Sequence, residues 1–300
     1  MKPKLILPRF HIVSLLFLIY NLGMDENNKK QQNAFSLKGF NITSSLLAII
    51  NNSNEDDINY VLANYLLERI DILDKISIYD VIDYCYVSRS TIHRFVKSIG
   101  FESFTHMKDN IRHMRVHSRA FIDFVNQSSF HDYIMNSMVN MLTDINDTID
   151  QQNIGLLVDL IKNSRNVVIL NYDTSSSSAK EFQLEMTSLG RLIKLVTNIS
   201  GNTGILPALT EDDLLITCSA SGNYAIATKD DVKNVKARKF LITLNHAKQF
   251  EEYYDTIIFL SDKFQSSEYI SNGMQNVYTR YGINYFFDLL FHRYVQKYII

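Results

Sequence analysis

The sequence predicts two units of different class: an all-α unit built around a helix-turn-helix pair, then a three-layer α/β unit with a five-stranded parallel sheet. Three observations carry this. Between Ser77 and Gly100, apolar residues recur at helical spacing on either side of a short break. After Arg165 the pattern changes to short, uniformly apolar runs separated by helical stretches, as parallel strands buried on both faces require. Charge is also segregated. From Lys75 to Arg119 eight Lys/Arg stand against four acids, a local balance of +4, in a 300-residue chain of net charge −2. The remainder is therefore acidic, which excludes a chain that is basic throughout and fits a nucleic-acid-reading module on an acidic body.

The domain boundaries follow from these changes: an atypical extension over 1–40, the helical unit over 41–119, a linker over 120–129 and the α/β unit over 130–300. In the extension, Lys2, Lys4 and Arg9 precede an apolar run from Ile12 to Tyr20 that resembles a short signal-peptide core. Pro8, Arg9 and His11 interrupt it, Asn21-Leu22-Gly23 offers no small-x-small cleavage site, and the run is short for a bilayer span. Met24 opens a hydrophilic stretch and is expected to be the natural start, with residues 1–23 an upstream extension. Hydrophobic content of 46% is ample for packed cores. Cys85 and Cys218 lie within apolar patterns and read as reduced core residues of a cytoplasmic protein.

In the helical unit, Thr43 to Asn51 is a small amphipathic helix with Leu46, Leu47 and Ile50 on its apolar side. Asp56 or Asp57 starts a longer one carrying Ile58, Val61, Leu62, Tyr65, Leu66 and Ile70. Ser77 is a good N-cap for a helix with Ile78, Val81, Ile82 and Cys85 inward. Tyr86-Val87 carries the chain round and Ser88 caps the next helix, in which Ile92, Phe95, Val96 and Ile99 face inward and Gly100 ends the run. Its outer face is Arg89, Ser90, His93, Arg94 and Lys97, with no acid between Ser88 and Gly100. A helix that enters the DNA major groove needs such hydroxyls and cations for base edges and phosphates. A further helix is expected from Ser103 to about Val116. There His113 and His117 stand at i, i+4 without an acidic or cysteine partner of convergent spacing, so no metal site is predicted.

The run VSRSTIHRFVKSIGFESFTHMK resembles the signature of RpiR-type bacterial regulators, V-S-x-[ST]-T-[IV]-x-R-F-x-x-x-x-G-[FY] followed by F-x-x-x-K. The matching positions are Val87, Ser88, Ser90, Thr91, Ile92, Arg94, Phe95, Gly100, Phe101, Phe104 and Lys108. The resemblance implies a transcription factor that binds double-stranded DNA. Ser88, Arg89, Ser90, Thr91 and His93 are its candidates for base edges or nearby phosphates. Arg94, Lys97 and Lys108 are the candidate phosphate clamps, with bracing of the fold an alternative for Arg94.

Phe121 to Ser129 reads as the hinge. Helices follow over Phe130 to Ile149 and Ile154 to Lys162. Strands are predicted at 167–171, 192–197, 213–219, 239–245 and 256–260, with helices over 177–190 and 223–237 and a long terminal helix from Met274 to Tyr298. That last helix is apolar around much of its circumference and is expected to serve as both core and dimer interface. Two loops after strands are rich in hydroxyls, Asn171 to Ser178 and Ser219 to Asn223, and both open helices. Ligands bind such sheets at the strands' carboxyl ends, and serines at helix N-termini suit a phosphate, although they are equally ordinary helix caps.

These loops resemble the sugar-isomerase (SIS) domain that follows the helix-turn-helix in RpiR-type regulators. Its first loop reads G-x-G-x-S-x-x-[VI]-A, matched by Ser175 and Ala179, and its second S-x-S-G-x-T, matched by Ser219, Ser221 and Gly222. Asn171 and Asp173 replace both glycines of the first loop and Tyr224 the final threonine, and a carboxylate at Asp173 would repel a dianion. The resemblance implies an SIS-like effector and dimerisation domain, with Ser175, Ser176, Ser219, Ser221 and Gly222 toward a phosphorylated sugar. It implies a homodimer or homotetramer, no cofactor, no membrane and no catalysis. The alternatives are a regulator whose SIS-like domain only dimerises, and a sugar-phosphate isomerase. The latter needs a general base, for which Glu181 and Glu185 are the nearest acids.

Overall fold

The computed structural model describes residues 42–109, 122, 125–171, 176–197, 204–264 and 277–300. The N-terminal extension with Met24, the His113/His117 pair and the first part of the hydroxyl loop, 172–175, lie outside the described residues.

The first described unit comprises α1 (Ile42–Asn52), α2 (Ile58–Glu68), α3 (Ile78–Cys85) and α4 (Arg89–Ser98), with residues 104–109 again helical. Their apolar stripes meet in one cluster that includes Leu46, Leu62, Leu66, Val81, Ile92, Phe95, Val96 and Met107, all at most 2% exposed. The expected cap at Ser77 is present and forms a full capping box. Its hydroxyl accepts from Asp80 N (3.2 Å) and the Asp80 carboxylate accepts from Ser77 N (2.7 Å), which holds that carboxyl below its ordinary value. Gly100 closes the helical pair at φ +93°, in the region a glycine tolerates.

The second unit is layered. On one side lie α5 (Phe130–Thr148), α6 (Gln151–Asn163), α7 (Ser176–Ser188) and the C-terminal α10 (Ile283–Tyr298). The sheet comprises β1 (Val167–Asn171), β2 (Lys194–Val196), β3 (Leu214–Cys218), β4 (Arg238–Thr243) and β5 (Thr256–Phe259), all parallel in the order β2-β1-β3-β4-β5. Alternate strand residues serve opposite faces. Val167, Ile169, Leu214, Ile216, Phe240 and Ile242 pack on the long helices, while Val168, Leu170, Leu215 and Leu241 pack on the other layer. That second layer is thin, made of α8 (Asn223–Ala227), α9 (Lys229–Lys233) and the 3₁₀ turn Lys248–Glu252.

Three departures from expectation have local causes. The helix expected over 223–237 is interrupted at Thr228, whose hydroxyl bonds back to the Tyr224 and Ala225 carbonyls beside its own N–H bond to Tyr224 O (3.0 Å), a back-bonding that bends helices. The second strand shrinks to three residues because it is an edge strand with Lys194 exposed. The terminal helix is preceded by a π-turn, Tyr278–Gly282, where a side chain at Gly282 would stand 3.3 Å from Ile145 Cδ1. In α10 itself Ile283, Phe286, Phe287, Leu290 and Tyr294 are buried, so its apolar circumference belongs largely to the core. Both cysteines are buried and unpaired, and burial pushes the Cys218 thiol up to about 12.

At the amino ends of the central strands, Asp213 is fully buried and gathers donors from the lead-in to β1 and from its own loop before β3. Arg165 Nη2 (2.9 Å), Asn166 N (3.1 Å) and Nδ2 (2.7 Å), and Thr210 N (2.7 Å) all reach its carboxylate. Burial opposes ionisation, but the Arg165 guanidinium and these N–H donors outweigh it and hold the carboxyl far below its usual range. Because the folded value lies below the unfolded one, the contribution is present at neutral pH and disappears as the pH falls below about 4. Asp213→Ala is expected to lower stability by about 2–4 kcal/mol and to flatten the acid limb of the stability profile, as measured by urea unfolding from pH 7 down to pH 3.

Candidate functional site

Two surfaces hold the residues that the sequence singled out. The first is the exposed side of α4, preceded by an unusual turn. Tyr86 caps α3 in the left-handed region (φ 53°, ψ 42°) and its side chain is 94% exposed. Ser88 then caps α4, accepting from Thr91 N at 3.2 Å, with the Ser90 and Thr91 hydroxyls 2.8 and 2.9 Å from its own. This knot of three hydroxyls sits at the helix start. Arg89, Ser90, His93, Arg94 and Lys97 are exposed in the turns that follow, while Ile92, Phe95 and Val96 fix the helix's rotation by burial. Lys108 differs from the others. It is half-buried and donates one hydrogen bond to Ile76 O (2.7 Å), which ties the helical segment 104–109 back to the entry of α3.

The second surface is the carboxyl edge of the sheet. Strand order reverses between β1 and β3, and Asn171 pairs in register with Cys218, so the two hydroxyl loops leave adjacent strands at the switch point. Ser175 lies outside the described residues, and of Ser176 only the backbone is described, as the first residue of α7. The second loop is fully described and tightly organised. Ser219 is buried and its hydroxyl accepts from Ala225 N at 3.3 Å; the Ser221 hydroxyl accepts from Asn223 N at 3.4 Å; Gly222 N closes a turn on Ser219 O at 2.9 Å. Gly222 has φ +79°, and a Cβ there would meet Asn245 Nδ2 at 2.7 Å and Phe250 Cζ at 2.9 Å. The helix it opens is only five residues long, so it supplies little dipole toward an anion.

Several polar residues at this edge were not singled out in the sequence. Asn245, two residues past β4, donates from Nδ2 to Ser221 O (3.0 Å) and accepts from Ala247 N (2.9 Å), bracing the serine loop. His246 stacks on Phe259 with ring centroids 3.9 Å apart and meets Ser261 O at 2.8 Å. Asp144 of α5 accepts from the Ser261 hydroxyl (2.6 Å) and the Tyr278 hydroxyl, and pairs with Lys263 Nζ at 2.8 Å. Burial works against the Asp144 charge, but Lys263 and the two hydroxyls prevail and lower its pKa; burial and that same carboxylate raise the Tyr278 phenol. On α7, Glu181 is exposed and Glu185 half-buried. Desolvation, followed by Asp288 and Glu181, raises the Glu185 pKa. Among the described residues no three His, Cys, Asp or Glu side chains converge as a metal site would require, and no helix is long and apolar enough to cross a membrane.

No protein-family profile matches the chain, and no curated protein matches it. Among solved structures it is similar to the Vibrio vulnificus NanR protein complexed with ManNAc-6P, at 14% identity and a TM-score of 0.45, over 86% of this chain and 92% of that one. It is also similar to the sugar isomerase domain of an RpiR transcription factor from Sphaerobacter thermophilus, at 14% identity and a TM-score of 0.42, over 57% of this chain and 92% of that one. A third is protein MJ1247 of Methanococcus jannaschii, for which a 3-hexulose-6-phosphate isomerase function was inferred, at 21% identity and a TM-score of 0.41, over 55% and 89%. The functional reading therefore rests on this chain's own residues.

The packing of Gly222 generates a direct test. Gly222→Ala adds a Cβ in a left-handed backbone and against two side chains, and is expected to cost about 2–4 kcal/mol in thermal or urea unfolding with no ligand present.

Proposed function

We propose that the chain is a DNA-binding transcriptional regulator of the RpiR type, whose α/β unit receives a phosphorylated sugar. The observation that carries the DNA reading is the acid-free outer face of α4. There Arg89, Ser90, His93, Arg94 and Lys97 stand exposed on a helix seated by Ile92, Phe95 and Val96, behind a hydroxyl-capped start. Hydroxyls and guanidinium groups at the start of a helix are what base edges and flanking phosphates accept. The signature from Val87 to Lys108 supports the same reading.

For the α/β unit, the support is that the two hydroxyl-rich stretches follow β1 and β3, which are neighbours at the switch point of the sheet. The phosphosugar class comes from the SIS resemblance of those loops. A second reading is favoured by the second loop itself. Its serine hydroxyls cap local N–H groups and its glycine is required by Asn245 and Phe250, so every feature of it also serves a unit that only dimerises. The proposal gives the chain no catalytic role: Glu181 lies exposed on α7 and Glu185 is half-buried beside other acids.

The test is fluorescence anisotropy on DNA from the gene's own upstream region, across a salt series, with ManNAc-6P and other sugar phosphates as probes. Specific binding that one of them shifts supports a ligand-responsive regulator; specific binding that none moves supports the dimerising one. Absence of binding removes the DNA reading. Arg89→Ala is expected to weaken specific binding by about 1–3 kcal/mol and relax preference at one base pair, whereas Lys97→Ala should weaken all sequences alike and reduce the salt slope by about one.

A further inference from the structure

Beside the outer face of α4 lies an open groove of about 560 Å³ between that helix and the segment 103–108. Ile92 and Phe104 form part of its floor, and its polar lining comprises Arg89, Ser90, His93, Ser103, Thr105 and Lys108. Three of these can carry positive charge, three are hydroxyls, and no acid lines the groove. We propose that this groove seats a backbone phosphodiester of the DNA duplex, with Ser103, Thr105 and Lys108 joining Arg89 and His93 as its ligands. The inference rests on the DNA reading and deepens it, by locating where the strand runs and adding two residues that the sequence pattern did not point to.

The geometry supplies reasons beyond charge. Lys108 is held in place: its ammonium is anchored on Ile76 O at 2.7 Å and lies 5.9 Å from the Phe104 ring centroid, leaving its other protons for a ligand. An ammonium that is already immobilised loses less side-chain freedom when it meets an anion. The hydroxyl of Ser103 accepts from His106 N at 3.1 Å, so its proton remains available to donate. Asp80 is close enough to Lys108 to feel its charge, yet its carboxylate is engaged by Ser77 N. A floor of Ile92 and Phe104 beneath cationic and hydroxyl rims suits the sugar-phosphate backbone, which presents apolar carbons beside anionic oxygens. In this arrangement Arg89 and His93 face the backbone as well as the base edges, so part of the α4 surface positions the duplex and carries no sequence information.

Thr105 provides the test because it is exposed and lies early in the helical segment 104–109, where a glutamate is compatible with the fold. The full chain is titrated against a labelled duplex of arbitrary sequence at low salt, then across a salt series. Thr105→Glu is expected to weaken binding roughly tenfold or more, and Thr105→Lys to strengthen it and steepen the salt dependence by about one unit. Gln152→Glu, the same charge change on an exposed residue of α6, should leave binding close to that of the unaltered chain. If Thr105→Glu binds as Gln152→Glu does, or Thr105→Lys does not tighten binding, the groove is not a phosphate seat, although the DNA reading stands. If the unaltered chain binds no duplex even at low salt, the DNA reading falls and the groove proposal with it.

Discussion

The pairing of β1 with β3 is the constraint on which the α/β unit depends. Five residues of each strand are in parallel register, from Val167 opposite Leu214 to Asn171 opposite Cys218. At one end the Asp213 carboxylate gathers Arg165, Asn166 and Thr210, so the start of both strands is fixed by charge-assisted hydrogen bonds as well as by the ladder. At the other end the chain has no choice about where its hydroxyl loops emerge. Once β2 has added to one side of β1 and β3 to the other, the carboxyl ends of β1 and β3 are neighbours at the switch point. The uniform burial of both strands enforces this, because neither tolerates a place at the edge of the sheet.

Hydrophobic seating has the corresponding role in the helical unit. Ile92, Phe95 and Val96 determine the rotation of α4, and rotation alone decides that Arg89, His93, Arg94 and Lys97 are all on the solvent side. The Ser77 capping box and the Lys108 bond to Ile76 O then brace the entry to α3 from two directions, one electrostatic partner on each side of the same short turn. Tyr86 shows that the connection between α3 and α4 is held under strain. A left-handed backbone costs an L-residue about 1–2 kcal/mol, and an almost fully exposed side chain offers little packing in return.

Much of this was legible in the sequence where a single local rule suffices. The caps at Ser77 and Ser88, the glycine at 100 and the five strands each follow from composition and spacing within a few residues. What escaped depends on partners far away or on competition between equals. Asp144 finds Ser261 and Tyr278 across 117 and 134 residues of chain, a relation that no periodicity encodes. The break at Thr228 coincides with a hydroxyl that bonds back onto the preceding turn, which helical spacing does not encode, and the shortening of β2 follows from its position at the sheet's edge. Asn245 reads as one more residue of an apolar strand until the loop that it braces is folded against it.

The serine loop after β3 shows why a motif match and a working site are different things. Its resemblance to a phosphate-binding loop lies in Ser219, Ser221 and Gly222, yet each has a complete structural reason without a ligand. Ser219 and Ser221 accept local N–H groups, and Gly222 adopts φ +79° with Asn245 and Phe250 closed against the place where a side chain would go. What remains for an anion is the hydroxyl protons, since an oxygen that accepts from the backbone can still donate outward. A five-residue helix adds little to that. An anion at this edge would therefore be held by a few directed hydrogen bonds more than by a helix field, and its affinity would depend on how many such donors reach it.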